Sequence, residues 1–266
     1  MNPPTNSSLV NQSQSPHATT AGLPQNSQAP KARLWLVRHG QTDWNLQGRI
    51  QGHQPIPLNA VGRQQASDLG RYFANKLFTA LYTSDLPRAV ETAAILGQSL
   101  GLAAQSVSAL RERALGQFEG KSVAEFRALR AAQGTKGNSG GTSGGGDLAD
   151  WSGIAEVESD DALWGRAENA LRDIATRHSG PGLHGQGEDI LVVTHGGLLS
   201  QVIWNTLGIM PGHPRRFPLS NGIVVVLTWE GEAFRMLSLI DLPLLHDHIL
   251  IPDTASAPAT PTGKVG

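Results

Sequence analysis

The sequence predicts an α/β protein, a three-layer α/β/α sandwich around a mostly parallel central sheet. Two observations support this prediction: short apolar runs bounded by turn residues recur along the chain, and stretches of helical periodicity lie between them. Strands that alternate with helices form parallel sheets covered on both faces. Since 266 residues with 39% apolar composition can bury one good core, we expect one domain over residues 32–250, between disordered tails at 1–31 and 251–266.

Each predicted element follows from its residue pattern. The runs 34–37 and 190–193 are short, apolar and compatible with strands, and 81–84 is interpreted as the end of a strand. Residues 223–229 and 233–240 are expected to be closing strands joined by a turn at 230–232. Helices are expected at 60–76, 86–100, 122–132 and 160–177. Asn59 can cap the first helix, and the residues expected near one face of it are Val61, Leu69, Tyr72, Phe73 and Leu77.

An arginine, a histidine and a glycine follow the first predicted strand. Arg38, His39 and Gly40 end the run LVRHG, and Gly40 lets the backbone turn sharply because it has no Cβ atom. Ligands bind at the carboxyl edge of open α/β sheets. The pair Arg38 and His39 is therefore placed where a nucleophile and an anion-binding cation are expected.

The same pattern occurs a second time. The apolar run 190–193 is followed by Thr194, His195, Gly196 and Gly197. Two histidines at two strand ends can converge on one pocket. Backbone N–H groups of a helix that starts after His195, at Gly196, would also face an anion.

Two segments between the histidines contain further polar candidates. Arg88 opens the helix 86–100 directly after a strand, where a guanidinium can bind two phosphate oxygens at once. Taken alone, Arg88 is better interpreted as a solvated arginine at a helix start. In the loop 110–120, Glu112 is the candidate proton donor, and Glu119 is either a second candidate or a surface charge. His53 lies in a polar loop and is interpreted as a structural or surface residue rather than a catalytic one.

Together these motifs resemble those of the histidine phosphatase superfamily, which also contains the cofactor-dependent phosphoglycerate mutases. Four pieces agree in order and context over about residues 33–242: LVRHGQTDWN, SDLPRAVETA, LRERALGQFEG and VVTHGG. The resemblance implies a phosphoglycerate mutase-like fold. It also implies a role for each site residue. His39 would accept the phosphoryl group, and Glu112 would be the acid. The phosphate would be held by Arg38, Arg88 and His195, with assistance from Asn45 and the backbone of Gly196.

The implied chemistry needs neither a metal nor a cofactor. Phosphoryl transfer depends on positioning and charge neutralisation, which two arginines and two histidines can supply without magnesium. A neutral imidazole is a good nucleophile at neutral pH, so a phosphohistidine would form on His39 and then be hydrolysed. Glu112 would protonate the leaving group and accept a proton from the attacking water. The expected partner is a small phosphorylated metabolite.

Three function classes remain open at this point: a phosphatase, a phosphoglycerate mutase, and a binding protein of the same fold without turnover. Competent residues fill every expected catalytic position, which disfavours the third. Mutases tend to have Y-G-x-L-x-G after the acid and an ordered insert that excludes water. Here the acid is followed by ALGQFEG and by a glycine-rich loop at 134–146, which favours the phosphatase, since a flexible loop excludes water poorly.

Composition excludes several other classes. A formal net charge of −1 argues against nucleic acid or a membrane surface as a partner, and no apolar run approaches the roughly 20 residues of a bilayer span. Without cysteine, disulfides and cysteine-based phosphatase chemistry are excluded. The first 30 residues lack the pattern of a secretion signal, so a cytoplasmic location is expected. His246, Asp247 and His248 lack further ligands at a suitable spacing, so no metal site is expected.

Overall fold

The computed structural model describes residues 31–132, 156–180, 187–209 and 219–241. The predicted glycine-rich loop 134–146, the predicted tails apart from Lys31, and the segment 246–248 lie outside these ranges. The predicted domain bounds therefore stay a prediction.

Within these ranges six strands form one sheet. They are β1 (Arg33–Arg38), β2 (Ala80–Thr83), β3 (Ala104–Ser106), β4 (Asp189–Thr194), β5 (Val224–Trp229) and β6 (Phe234–Ile240). Their order across the sheet is β3-β2-β4-β1-β5-β6. The pairs among β3, β2, β4 and β1 are parallel, whereas β5 runs antiparallel to both β1 and β6. The prediction of a mostly parallel sheet is confirmed.

Helices cover both faces of this sheet. The helices are α1 (Asp43–Leu46), α2 (Ala60–Phe73), α3 (Pro87–Leu100), α4 (Val123–Ala132), α5 (Asp160–Arg177) and α6 (Gly196–Leu207). On one face Phe73 of α2 and Leu96 of α3 pack with Trp35 of β1. On the other, Leu171 of α5 and Val202 of α6 pack against the sheet. This is the predicted three-layer sandwich. The short β3 and α1 were not predicted.

The buried face of α2 differs from the predicted one. Asn59 caps the helix as expected, accepting from the N–H of Gly62 at 2.9 Å, but the helix ends at Phe73 rather than residue 76. Of the predicted face, Leu69 and Phe73 are buried, whereas Val61, Tyr72 and Leu77 are exposed. The remaining buried residues of the helix are Gly62, Ala66 and Gly70. Small residues give a close approach that a hydrophobicity pattern does not reveal: a Cβ atom on Gly62 would lie 2.1 Å from the Gln41 carbonyl oxygen.

The parallel register aligns the carboxyl ends of three neighbouring strands. Arg38 of β1 is opposite Thr194 of β4, and the N–H of His39 donates to the Thr194 carbonyl at 2.9 Å. On the other side of β4, the N–H of Ser84 donates to the Val193 carbonyl at 3.0 Å. The residues that follow β2, β4 and β1 therefore stand side by side at one edge of the sheet.

Candidate active site

His39 is held by its backbone and by one ring nitrogen. The side chain is buried, and its Nδ1 lies 2.7 Å from the carbonyl oxygen of Gly40. A carbonyl can only accept, so Nδ1 carries the proton and Nε2 keeps its lone pair. The backbone carbonyl of His39 accepts from the side-chain amide of Asn221 at 2.9 Å. The ring is thus oriented as a nucleophile requires.

Arg88 connects His39 to a neighbouring loop. This fully buried arginine donates from Nε to Nε2 of His39 at 3.2 Å. Its two terminal nitrogens donate to the carbonyl oxygens of Gln54, at 3.0 Å, and of Gly52, at 2.8 Å. Arg88 is therefore a pocket residue and not a solvated arginine, and it fixes the loop 52–54 against the nucleophile.

Arg38 and His195 complete a cluster around His39. The rings of His39 and His195 have centroids 5.1 Å apart. Nε2 of His195 lies 2.8 Å from the hydroxyl of Ser84, and Arg38 donates from Nη1 to the Leu219 carbonyl. Within the described part of the chain, Arg38 Nε and His195 Nδ1 are buried and have no hydrogen-bond partner. The guanidinium N–H is a donor, and the imidazole nitrogen is a donor in its protonated tautomer, so this pair beside a nucleophile suits an anionic ligand.

The two glycines after His195 leave room for the side chains of Arg38 and Glu112. Gly196 begins α6, and a Cβ atom there would lie 3.1 Å from Arg38 Nε. A Cβ atom on Gly197 would lie 2.2 Å from an Oε atom of Glu112. Both positions therefore lie against side chains of the candidate site. The predicted role of the Gly196 backbone in binding an anion stays a prediction.

Glu112 reaches the same helix start from the loop after η1, the 3₁₀ turn Ser108–Leu110. Its Oε2 accepts from the N–H of Gly197 at 2.9 Å, and its Oε1 accepts from the N–H of Arg113 at 2.8 Å. The N–H of Gly197 belongs to the first turn of α6 and has no partner within the helix. A carboxylate there is also favoured by the helix dipole. The structure brings Glu112 to the histidines.

Glu119 has a different environment. Its Oε1 accepts from the N–H groups of His53, at 2.9 Å, and Leu115, at 3.1 Å, and its Oε2 accepts from the side chain of Gln54 at 2.9 Å. The carboxylate therefore ties the loop 52–54 to the acid loop. His53 does the same from the other side, because its Nε2 lies 2.8 Å from the Glu112 carbonyl oxygen. Its predicted structural role fits this contact.

Asn45 lies in α1 and its side chain forms part of a cap. Its Oδ1 accepts from the backbone N–H and the hydroxyl of Thr42, at 3.1 and 3.0 Å. Asn221 lies between the two segments, 3.4 Å from Asn45 Oδ1 and bonded to the backbone of His39. The predicted assisting role of Asn45 stays a prediction.

Electrostatics keep both imidazoles neutral. Burial, and then the charges of Arg88 and Arg38, hold the pKa of His39 well below its ordinary value of 6.5. The pKa of His195 is lowered in the same way, by burial first and then by Arg88 and His39. Burial also lowers the pKa of Arg88 to about 10, which leaves this arginine charged at neutral pH. A pocket of cations and neutral imidazoles can bind a phosphate dianion while keeping a nucleophile available.

Sequence reasoning missed several residues that organise this site. Ser84 supports His195, Asn221 holds the backbone of His39, and Arg166 donates to the acid loop. Ser84 could have been found, because it is the first residue after β2, as His195 is the first residue after β4. Asn221 and Arg166 gave no such signal. Within the described ranges no three His, Cys, Asp or Glu side chains cluster as metal ligands would, and none of the helices there is long and apolar enough to cross a bilayer.

Comparisons with known proteins give a consistent set of matches. The family model of the histidine phosphatase superfamily (branch 1) matches residues 34–242. Phosphoglycerate mutase-like protein 4 of Arabidopsis thaliana is 37% identical over 211 residues, which cover 77% of this chain and 80% of that protein. The metal-independent phosphoserine phosphatase of the same plant is 36% identical over 177 residues, covering 63% of this chain and 65% of that protein.

Solved structures resemble the fold as well. A mycobacterial glucosyl-3-phosphoglycerate phosphatase in complex with VO3 superimposes with a TM-score of 0.64 at 26% identity, covering 79% of this chain and 97% of that one. Every pocket residue described above lies within the range that the family model matches.

Proposed function

The chain belongs to the histidine phosphatase superfamily, and from this premise we propose that it is a metal-independent phosphatase acting on small phosphomonoesters through a phosphohistidine on His39. One observation supports this most strongly: two buried nitrogens without a protein partner in the described residues, Arg38 Nε and His195 Nδ1, lie beside a neutral imidazole whose Nε2 keeps its lone pair. This combination suits a phosphate facing a nitrogen nucleophile.

In the first step, Nε2 of His39 attacks phosphorus and the bond to the leaving-group oxygen breaks. Glu112 gives that oxygen a proton. In the structure an N–H of Arg88 donates to Nε2 of His39. With substrate bound, the same N–H would donate to a phosphoryl oxygen instead, and the charge of Arg88 would stabilise the transition state.

In the second step, a water attacks phosphorus and the nitrogen–phosphorus bond breaks. Glu112 takes a proton from that water, and His39 returns to its starting form. Since both carboxyl oxygens of Glu112 accept hydrogen bonds in the structure, its acid role requires one of these bonds to open when substrate arrives. Arg38, Arg88 and His195 hold the phosphoryl group throughout.

The relatives include a phosphoglycerate mutase-like protein as well as phosphatases, so they bear on the choice between isomerisation and hydrolysis. The phosphoserine phosphatase and the glucosyl-3-phosphoglycerate phosphatase support hydrolysis of a small phosphorylated metabolite. The segment ALGQFEG and the glycine-rich composition of residues 134–146 support it too, by the sequence argument that separates the phosphatases from the mutases. The cytoplasmic location and the absence of a nucleic-acid partner stay predictions.

The experiment compares wild type with His39→Ala in EDTA, on an aryl phosphate and on 3-phosphoglycerate, and follows free phosphate and 2-phosphoglycerate separately. We expect release of free phosphate that tolerates EDTA and disappears in His39→Ala, together with an acid-labile phosphoenzyme in wild type only. Conversion to 2-phosphoglycerate without free phosphate would make the protein a mutase. Turnover that survives in His39→Ala would remove His39 as the nucleophile.

A further inference from the structure

Arg166 lies on α5, outside every motif that defines the site. Its guanidinium donates five hydrogen bonds. Two go to the carboxylate of Glu158, from Nε at 2.6 Å and from Nη2 at 2.8 Å. The other three go to the carbonyl oxygens of Ala109, Arg111 and Glu112, each at 2.8 Å. A guanidinium has five N–H donors, so every one of them is used.

The three carbonyl groups belong to the segment that carries the acid. Residues 109–112 lead from η1 into the loop and have no strand partner to hold them. The carbonyl of Glu112 accepts from Arg166 and is also 2.8 Å from Nε2 of His53. The backbone of the acid is therefore fixed by side chains rather than by regular secondary structure.

Glu158 lies just before α5 and connects Arg166 to the acid loop. Besides Arg166, its Oε2 accepts from the N–H of Ala114 at 3.2 Å, and its carbonyl accepts from Nη1 of Arg113 at 2.7 Å. Burial acts to raise the pKa of Glu158, but the hydrogen bonds and charge of Arg166 outweigh it and the pKa lies below its ordinary value. The carboxylate is ionised at neutral pH and pairs with Arg166.

We propose that Arg166, clamped by Glu158, is a positioning residue that places the carboxyl group of Glu112 against the start of α6. The inference rests on the proposed function, because it gives Glu112 the acid role. In the described contacts Arg166 makes no hydrogen bond to His39 or to the phosphate ligands. Its charge helps to lower the pKa of His195, but Arg166→Lys keeps that charge, so a loss of activity in this variant acts through the position of Glu112.

Lysine cannot replace this arginine. An ammonium has three donors around one atom, whereas the five acceptors here are spread around a planar fork. Arg166→Lys therefore keeps the charge but leaves some of the carbonyls without a donor. Arg172→Lys is the matched control, since Arg172 lies on the same helix and donates to Asn169 at 2.5 Å.

The first test is a leaving-group series with four variants: Arg166→Lys, Arg172→Lys, Glu112→Gln, and the double variant of Arg166 and Glu112. We expect Arg166→Lys to lower kcat on alkyl phosphates by roughly 10- to 100-fold and on p-nitrophenyl phosphate only a few-fold, since a poor leaving group needs the proton more. The double variant should be no slower than Glu112→Gln alone. Equal slowing on all esters, with the two changes multiplying, would overturn the proposal.

The second test does not require turnover. The amide of Gly197 donates to the carboxylate of Glu112, so its hydrogen exchange reports where that carboxylate lies. We expect exchange at Gly197 to accelerate at least tenfold in Arg166→Lys, with β1 and β4 still protected and Arg172→Lys unchanged. Unchanged exchange at Gly197 in a folded Arg166→Lys would overturn the proposal. If Arg166→Lys does not fold, Glu158→Gln, which keeps the side chain's shape, gives the same measurement.

The two tests distinguish a failure of the proposed phosphatase function from a failure of the positioning role of Arg166. A wild type without phosphatase activity refutes the proposed function, and the exchange of Gly197 still decides whether Arg166 positions Glu112. An active wild type with slow Gly197 exchange in both lysine variants refutes the positioning role alone.

Discussion

The hydroxyl of Ser84 lies 2.8 Å from Nε2 of His195. The same oxygen accepts from the N–H of Leu86 at 3.3 Å. In the described contacts His195 is the one acceptor within reach of the buried hydroxyl hydrogen, so we infer that Ser84 donates to Nε2. Nε2 is then the accepting nitrogen, and the proton of the neutral ring is on Nδ1. Nδ1 is the buried nitrogen without a partner in the described residues. Ser84 thereby selects the tautomer in which His195 can donate to a phosphate while uncharged.

Ser84→Ala removes the hydroxyl group that selects the tautomer of His195. We expect the inhibition constant of inorganic phosphate to rise about fivefold, the equivalent of one hydrogen bond of about 1 kcal/mol. Nitrogen NMR of the His195 ring should show the Nδ1–H tautomer in wild type and a mixture in the variant. Ser67→Ala, whose hydroxyl donates to a carbonyl on an exposed helix face, is the control and should bind phosphate as wild type does. An unchanged tautomer in Ser84→Ala would contradict the assignment.

Arg88→Lys should damage both catalysis and the loop that Arg88 holds. A lysine cannot reach His39 and the carbonyls of Gly52 and Gln54 together, so we expect kcat/KM to fall by about 10²–10³. The free energy of unfolding should fall by about 1–3 kcal/mol, because buried carbonyls lose their donor. Steady-state kinetics and urea titration measure the two effects.

The control for this change is Arg63→Lys. Arg63 pairs with Glu91 at 2.7 Å in an exposed position, where such pairs contribute about 1 kcal/mol or less. Its kinetics and its unfolding midpoint should match those of wild type. Full activity in Arg88→Lys would show that the charge alone, without the fork, serves the pocket.

Gly197→Ala should act on the acid and leave the fold intact. The added Cβ atom would lie 2.2 Å from Oε1 of Glu112, so the carboxyl group must move. We expect at least a tenfold loss of kcat on alkyl phosphates at an almost unchanged melting temperature. Gly165→Ala, also within a helix but with open space around its Cβ position, should keep full activity and gain about 0.5–1 kcal/mol in stability. Wild-type kcat in Gly197→Ala would argue that the position of Glu112 does not matter.

The neutral histidines predict how stability depends on pH. Burial and the arginines lower the folded-state pKa of His39 and His195, so below about 6.5 the unfolded chain takes up protons that the folded chain does not. The free energy of unfolding should therefore be independent of these groups above 6.5 and fall as the pH drops below it, by up to about 1.4 kcal/mol per pH unit for each histidine. Urea titrations at pH 8 and pH 5.5 check this.

The corresponding control is His39→Ala. With one buried histidine removed, the difference in stability between pH 8 and pH 5.5 should shrink relative to wild type. A difference of the same size in both proteins would mean that His39 is protonated in the folded state over this range.

Much of the site could be predicted because its residues follow strands. His39 and His195 stand directly after apolar runs, and parallel pairing of those runs necessarily brings them together. Arg88 and Glu112 required the combination of motifs, since each taken alone is an ordinary charged residue. The site roles remain predictions that the experiments above test.

What the sequence could not give depends on packing at short range. Val61, Tyr72 and Leu77 were expected on the buried face of α2, but the small residues Gly62 and Gly70 set that face. Helical periodicity records hydrophobicity and not how closely two backbones approach. The five bonds of Arg166 were equally invisible, because three of its partners are backbone carbonyls, which every residue has.

The pairing of β1 with β4 also bears on how the protein acquires its activity. Arg33 and Asp189 face each other across this pair although 156 residues separate them. Contacts this distant form only after a large loss of chain entropy, which slows the folding of parallel sheets. The nucleophile and its neighbouring imidazole meet across this pair of strands. During refolding, enzymatic competence should therefore return after the helices have formed, and it reports completion of the sheet rather than collapse of the chain.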